Sequence, residues 1–244
     1  MRTKKPKRVG KRRKPSSGRK TSKLYELLRD NGLSLVLGLL FAAFLVGQSL
    51  TGWKAHNDEE RQHGQPQIGY VDFVTSPDFG ETVFENWESE FLQMGAFVLL
   101  TVILRQRGSA ESKDPDEAHE DVDESPEEGK RADSPWPVRY GGMAAKLYSH
   151  SLGLAFMALF AFSFAMHAVH GAKKFNEEQR QHGGETVGAL EYVGRPQFWY
   201  ESFQNWQSEF LAVFSMVVLS VFLRQKGSAE SKPVATPHAE TGKG

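Results

Sequence analysis

The chain contains no cysteine, which removes disulfide scaffolds, thiol nucleophiles and cysteine-ligated metals from consideration. It carries no phosphate-binding glycine loop, no His-Glu-x-x-His pair and no nucleophile elbow. Net charge is absent as well, since 30 basic residues balance 30 acidic ones. The balance conceals segregation. Residues 1–24 hold a dense basic run (Lys4 to Lys14), and residues 114–142 hold an acidic one (Asp114 to Glu128). Blocks of like charge repel themselves and bury little, so both, with the tail 233–244, are expected to be disordered.

Charge is also missing from two long apolar stretches. Gly32 to Trp53 has none before Lys54, and Ser151 to Gly171 has none at all. At about 1.5 Å per residue each crosses a hydrocarbon core of about 30 Å. A signal peptide is the rival reading of the first, but the run is too long for an h-region and no small-residue cleavage site follows. The second lies far inside the chain.

A shift of 119 positions aligns residues 33–113 with 152–232 without a gap. "NDEERQHG" at 57–64 returns as "NEEQRQHG" at 176–183, "FENWESEFL" at 84–92 as "FQNWQSEFL" at 203–211, and "LRQRGSAESK" at 104–113 as "LRQKGSAESK" at 223–232. Roughly two in five aligned positions are identical, the mark of an internal duplication. The duplication supports two weaker spans, Phe91–Leu104 and Phe210–Leu223. Each follows an aromatic stretch with Trp87 or Trp206 at the interface and ends at a snorkelling Arg105 or Arg224.

The expected fold is therefore an all-α membrane protein of four transmembrane helices, built as two tandem, parallel-oriented helical hairpins. Repeat 1 covers 25–113 with spans at about 32–53 and 87–104; repeat 2 covers 143–232 with spans at about 151–171 and 206–223. Basic residues place both termini and the acidic linker in the cytoplasm and the loops 54–86 and 172–205 outside. The outer loops read as helical extensions ending at Gly64 and Gly183, followed by helix starts at Pro77 and Pro196.

Several residues recur in both halves near the outer boundary. Glu90 and Glu209 are carboxylates at a depth where pairing is needed, and Arg61 and Arg180 in the adjoining extensions are the expected partners. A solvated interfacial role is the plainer alternative. His63 and His182 follow Glu59 and Glu178 by one turn, but two ligands are too few to specify a metal site. His167 and His170 have Gln48 and Thr51 as counterparts and read as interhelical hydrogen bonders. No pattern calls for a cofactor or metal. The basic tail suits anionic lipid better than nucleic acid.

The repeated "NWxSEFL" and "LRQ-R/K-GSAESK" blocks, with "EE/QRQHG" between spans, resemble an uncharacterised bacterial membrane family, domain of unknown function 6766, over about residues 25–232. The resemblance implies a bacterial inner (plasma) membrane protein with Asn86, Trp87, Glu90 and their counterparts Asn205, Trp206 and Glu209 as motif residues. It implies no activity. Gln207 stands where the first half has Glu88, against a role needing both carboxylates in each copy. The function expected is non-enzymatic, structural or partner-binding, the partner being another protein or a second copy of the chain beside the lipid bilayer. A small-solute or ion channel or transporter is the alternative, since parallel repeats are a transporter architecture. An intramembrane hydrolase is a distant third.

Overall fold

A computed structural model describes residues 23–117 and 119–242. The basic segment 1–22, on which the anionic-lipid expectation falls, lies outside the described residues. The described residues hold no strand. They form α1 (Lys23–Gln62), α2 (Tyr70–Val74), α3 (Pro77–Ile103), a 3-10 turn (Asp121–Asp123), α4 (Trp136–Tyr140), α5 (Gly142–Ser149), α6 (Ser151–His182), α7 (Ala189–Val193) and α8 (Pro196–Phe222). Three helices are long and apolar enough to cross a membrane: α1, α6 and α8. Five carboxylates along α3, from Asp78 to Glu90, lower its apolarity, although its helix is as long as α8.

The chain divides into two compact units, one up to His56 and one from Asn57 onward. The first unit consists, among described residues, of most of α1, whose leucine and phenylalanine side chains are largely exposed, Leu33, Leu39 and Phe44 among them. Thr51 bonds back to the Gly47 carbonyl at 2.7 Å, which satisfies its hydroxyl within the helix, as lipid requires.

In the second unit α3 runs antiparallel to α6 and parallel to α8. Short residues allow the close approach of α3 and α6. A Cβ on Gly95 would lie 3.3 Å from Met157 Sδ and Phe156 Cβ, and one on Gly153 would lie 3.2 Å from Leu99 Cδ2. Small residues at such crossings let helices gain dispersion contacts that lipid could not match. Nearer the start of α3, Gly80 lies against the His170 ring, and Gly171 lies against Tyr192. An aromatic core of Tyr192, Phe198, Phe164 and Trp199 fills the space between α6, α7 and α8.

Local chemistry fixes the loops between α1 and α3 and between α6 and α8. Asn57 bonds both ways to Ile68, donating to its carbonyl at 3.0 Å and accepting from its amide at 2.9 Å. Asn176 does the same to Val187 at 2.8 and 2.7 Å. Gly64 and Gly183 take the positive φ, 70° in both, that ends a helix in left-handed backbone. Ser76 caps α3 by accepting from the Phe79 amide at 3.2 Å, with Pro77 at the first helical position. Pro196 likewise takes the first position of α8, but Arg195 before it makes no side-chain cap bond.

The loops that follow α3 and α8 also match. The Gln106 amide donates to Ser112 Oγ at 2.7 Å and the Gln225 amide to Ser231 Oγ at 2.9 Å; Gly108 and Gly227 both have positive φ. The acidic linker folds back over the first of these loops. Arg107 makes a two-pronged pair with Asp116 at 2.6 and 2.9 Å, and Lys113 meets Asp123 at 2.6 Å. Over the second loop, Lys232 donates to the Pro237, His238 and Glu240 carbonyls.

Candidate functional site: a buried carboxylate–imidazole cluster

Glu81, Glu85 and Glu88 recur at four- and three-residue spacing, so they share one face of α3. His167 and Lys174, seven residues apart, share one face of α6. Packing the two helices antiparallel brings the acidic face onto the basic one. His167 Nδ1 lies 2.8 Å from Glu88 Oε2, with both side chains fully buried. The Trp206 indole donates to the other Glu88 oxygen at 3.0 Å. With Glu88 a carboxylate, the imidazole proton sits on Nδ1.

The opposite ring nitrogen, Nε2, faces Glu201 Oε2 on α8 at 3.5 Å. That distance gives an ion pair when the ring is charged, but it is long for a hydrogen bond. Glu201 Oε2 accepts from the Tyr192 hydroxyl at 2.9 Å, and its other oxygen accepts from the Gln197 amide. The His167 ring stacks on Phe198, centroids 4.6 Å apart. Asn205 bonds the Glu85 carboxylate.

Two turns further along α6, the Lys174 ammonium holds Glu81 at 2.6 Å and Asp78 at 3.2 Å. Burial pushes the Glu81 carboxyl up despite the ammonium beside it. Burial works against the Lys174 ammonium too, but its bond to Glu81 and the Asp78 charge prevail and hold its pKa above the ordinary lysine value. Burial, then the neighbouring Glu201 carboxylate, drives the Tyr192 hydroxyl upward, so it acts as a donor throughout the physiological range. A cleft of about 220 Å³, lined by Glu81, Lys174, Phe175, Tyr192, Gln197 and Glu201 among others, opens onto this cluster.

The residues singled out from sequence fall partly inside it. Trp206 and Asn205 belong to it. Asn86 instead bonds the Thr82 carbonyl of its own helix at 2.7 Å, and Trp87 packs edge-on against Phe84. Glu90 comes within hydrogen-bonding reach of Glu209, its counterpart in the other half, and Gln93 donates to the Glu209 carbonyl at 3.0 Å. The expected Arg–Glu contact within each half is not made among the described residues. Arg61 bonds Asp58, one turn back on its own helix, at 2.8 Å, and Arg180 makes no ion pair with Glu209. Both arginines sit in the last turns of their helices, α1 and α6, whereas Glu90 and Glu209 lie midway along α3 and α8. His63 and His182 bond the Glu59 and Glu178 backbone carbonyls at 3.0 and 2.8 Å, satisfying helix-end acceptors with no use of the glutamate carboxylates. No group of three or more His, Asp or Glu among the described residues is placed to hold a metal ion.

Lys174, Glu81, Tyr192 and Glu201 were not legible as site residues from the repeated motifs, because their counterparts are Ala55, Tyr200, Phe73 and Thr82. The available signal was the three- and four-residue spacing of acids on α3 opposite a seven-residue spacing of bases on α6. No curated protein and no solved structure matches the chain. The family described as Domain of unknown function (DUF6766) matches residues 24–243, and the chain belongs to that family.

Proposed function

We propose that the chain is a non-enzymatic integral membrane protein of four spans that binds a partner or solute from its outer side. In this reading the two halves are copies of one hairpin in parallel orientation. Their pseudo-twofold axis passes between α3 and α8, where the sequence-equivalent Glu90 and Glu209 meet. Both termini and the acidic linker lie in the cytoplasm of a bacterium, consistent with the arginines and lysines at the inner ends of α3 and α8.

The observation that carries the reading is the confinement of the buried polar cluster to one end. From residue 94 to 103 in α3, 151 to 166 in α6 and 210 to 222 in α8 there is no charged residue. The cluster and its cleft therefore communicate with one side, as a binding site does, and no ionisable relay continues through the inner half of these helices. A channel or transporter is the second reading. It is favoured by the Glu201–His167–Glu88 row, because apolar packing would hold helices together as well as buried ionisable groups do.

Reconstitution of the full chain in liposomes tests the choice. Dissipation of an imposed proton gradient and efflux of small solutes should equal those of empty liposomes. Flux above that background, abolished by Glu201→Gln, would overturn the binding reading in favour of transport.

A further inference from the structure

Three side-chain atoms where α6 meets α8 are buried and have no hydrogen-bond partner among the described residues: Ser163 Oγ, Ser202 Oγ and His167 Nε2. Their residues are 0%, 1% and 0% exposed. We propose that these atoms hold one enclosed water molecule, which ties α6 to α8 beside the Glu88–His167 pair. Helical geometry brings the three together. The two helices run antiparallel, and two ring contacts bracket the place: His167 stacks on Phe198, and Phe160 meets Trp206. Ser163 lies four residues before His167 on α6, and Ser202 lies four residues after Phe198 on α8, so each serine is one turn from the stacked rings on the same face. Side chains lean toward the start of their helix. The His167 ring therefore leans over the Ser163 turn, and Ser202 leans toward the Phe198 ring.

The chemistry of these atoms selects the occupant. A helix hydroxyl can satisfy itself on a carbonyl three or four residues back, as Thr82, Ser89 and Ser208 do at 3.0, 2.8 and 2.8 Å. Ser163 and Ser202 make no such bond, and a buried hydroxyl left unpaired is costly. His167 Nε2, 3.5 Å from Glu201 Oε2, also has bonding capacity left. Water both donates and accepts, so it serves either hydroxyl in either role and the ring nitrogen with or without its proton. Three polar contacts are the usual complement of a buried water. The sequence supplies room as well as polarity. Phe44 and Val83 stand at the equivalent positions of the first half, and serine is smaller than either. Full enclosure admits nothing much larger than water, and no group of three or more His, Asp or Glu among the described residues is placed to hold a metal ion. The inference holds whether the outer cleft binds a partner or passes a solute.

The test is a crystal structure of the full chain grown from a lipid phase, at a resolution that shows ordered water. One density peak should lie about 2.7–3.2 Å from Ser163 Oγ, Ser202 Oγ and His167 Nε2. Hydroxyls bonded to each other, or each to a carbonyl of its own helix, with no such peak between them overturn the proposal. Thermal unfolding in detergent is the second measurement. Ser163→Ala and Ser202→Ala should each lower the midpoint by about 2–4 °C, and the double variant should lose less than their sum, because either change weakens the water that the other serine uses. Additive losses refute a shared water. Ser208→Ala removes a hydroxyl already satisfied within its own helix and should melt as wild type. A drop equal to those of the other two variants would show that their losses owe nothing to water.

Discussion

His167 and Glu88 form a fully buried pair, Nδ1 to Oε2 at 2.8 Å, that joins the second helix of one half of the chain to the first helix of the other. Neither partner has an ionisable counterpart at the equivalent position, since Gln48 and Gln207 stand there. The interface between α3 and α6 is consequently specific to this pair of helices.

Removing one partner should cost more than removing both. His167→Leu leaves the Glu88 carboxylate buried with the Trp206 indole alone, and a loss of about 3–5 kcal/mol is expected for an uncompensated buried charge. The double variant with Glu88→Leu should recover much of it. Thermal unfolding in detergent measures both, and a double variant no more stable than His167→Leu would show that the two side chains are not coupled.

Lys174→Met should destabilise the protein by about 2 kcal/mol at neutral pH, less than a fully buried pair because the ammonium is partly exposed. The loss should shrink on acidification. Burial already pushes the Glu81 carboxyl up, and without Lys174 it binds a proton more readily still, so the folded variant takes up protons and gains stability as the pH falls. In the wild type the sign is reversed at the other end of the scale. The raised Lys174 pKa gives stability that is fully present below the ordinary lysine value of 10.5 and is lost as the pH rises through the folded value. Melting curves of the two proteins between pH 5 and pH 7 should therefore converge toward the acid side, with these pH values marking roughly the ordinary working range.

Close helix approach should make alanine graded in its effect. A Cβ on Gly171 overlaps the buried Tyr192 ring, so Gly171→Ala should cost about 1–3 kcal/mol. Gly153→Ala meets only a flexible Leu99 methyl at 3.2 Å and should be near neutral. Equal melting temperatures for the two variants would contradict this packing.

The linker should be held by its ion pairs at neutral pH. Arg107 and Lys113 depress the Asp116 and Asp123 carboxyls below the ordinary aspartate value of 3.8, so attachment is complete above that value and is lost as the pH falls through the depressed ones. Lys113→Met should increase protease cleavage within residues 114–123 more than Arg107→Met does, because the Lys113–Asp123 pair is the better shielded, with side chains 13% and 27% exposed. Similar cleavage of wild type and both variants would show that the pairs do not secure the segment.

Topology follows from the basic residues. Reporter fusions at residue 125 and at the C-terminus should read cytoplasm, and one at residue 68 should read outside. A C-terminus on the outer side would remove α3 or α8 from the set of spans.

The sequence by itself determined the helices and their ends. Charge-free runs in α1 and α6 could only be satisfied by helix in an apolar surrounding, and Pro77, Pro196, Gly64 and Gly183 set boundaries through backbone geometry that acts locally. Local spacing also put acids on one face of α3 and bases on one face of α6. Which faces meet was decided only by tertiary packing. The repeated motif suggested pairing within each half, Arg61 with Glu90 and Arg180 with Glu209. The antiparallel seat of α6 on α3 instead set His167 and Lys174 against Glu88 and Glu81, whereas the parallel seat of α8 left Glu90 beside a like group, Glu209. A charge buried at a membrane boundary is stabilised by whichever opposite group reaches its depth, and depth within a bundle depends on helix register, which glycine contacts at 95 and 153 establish far from the charges themselves.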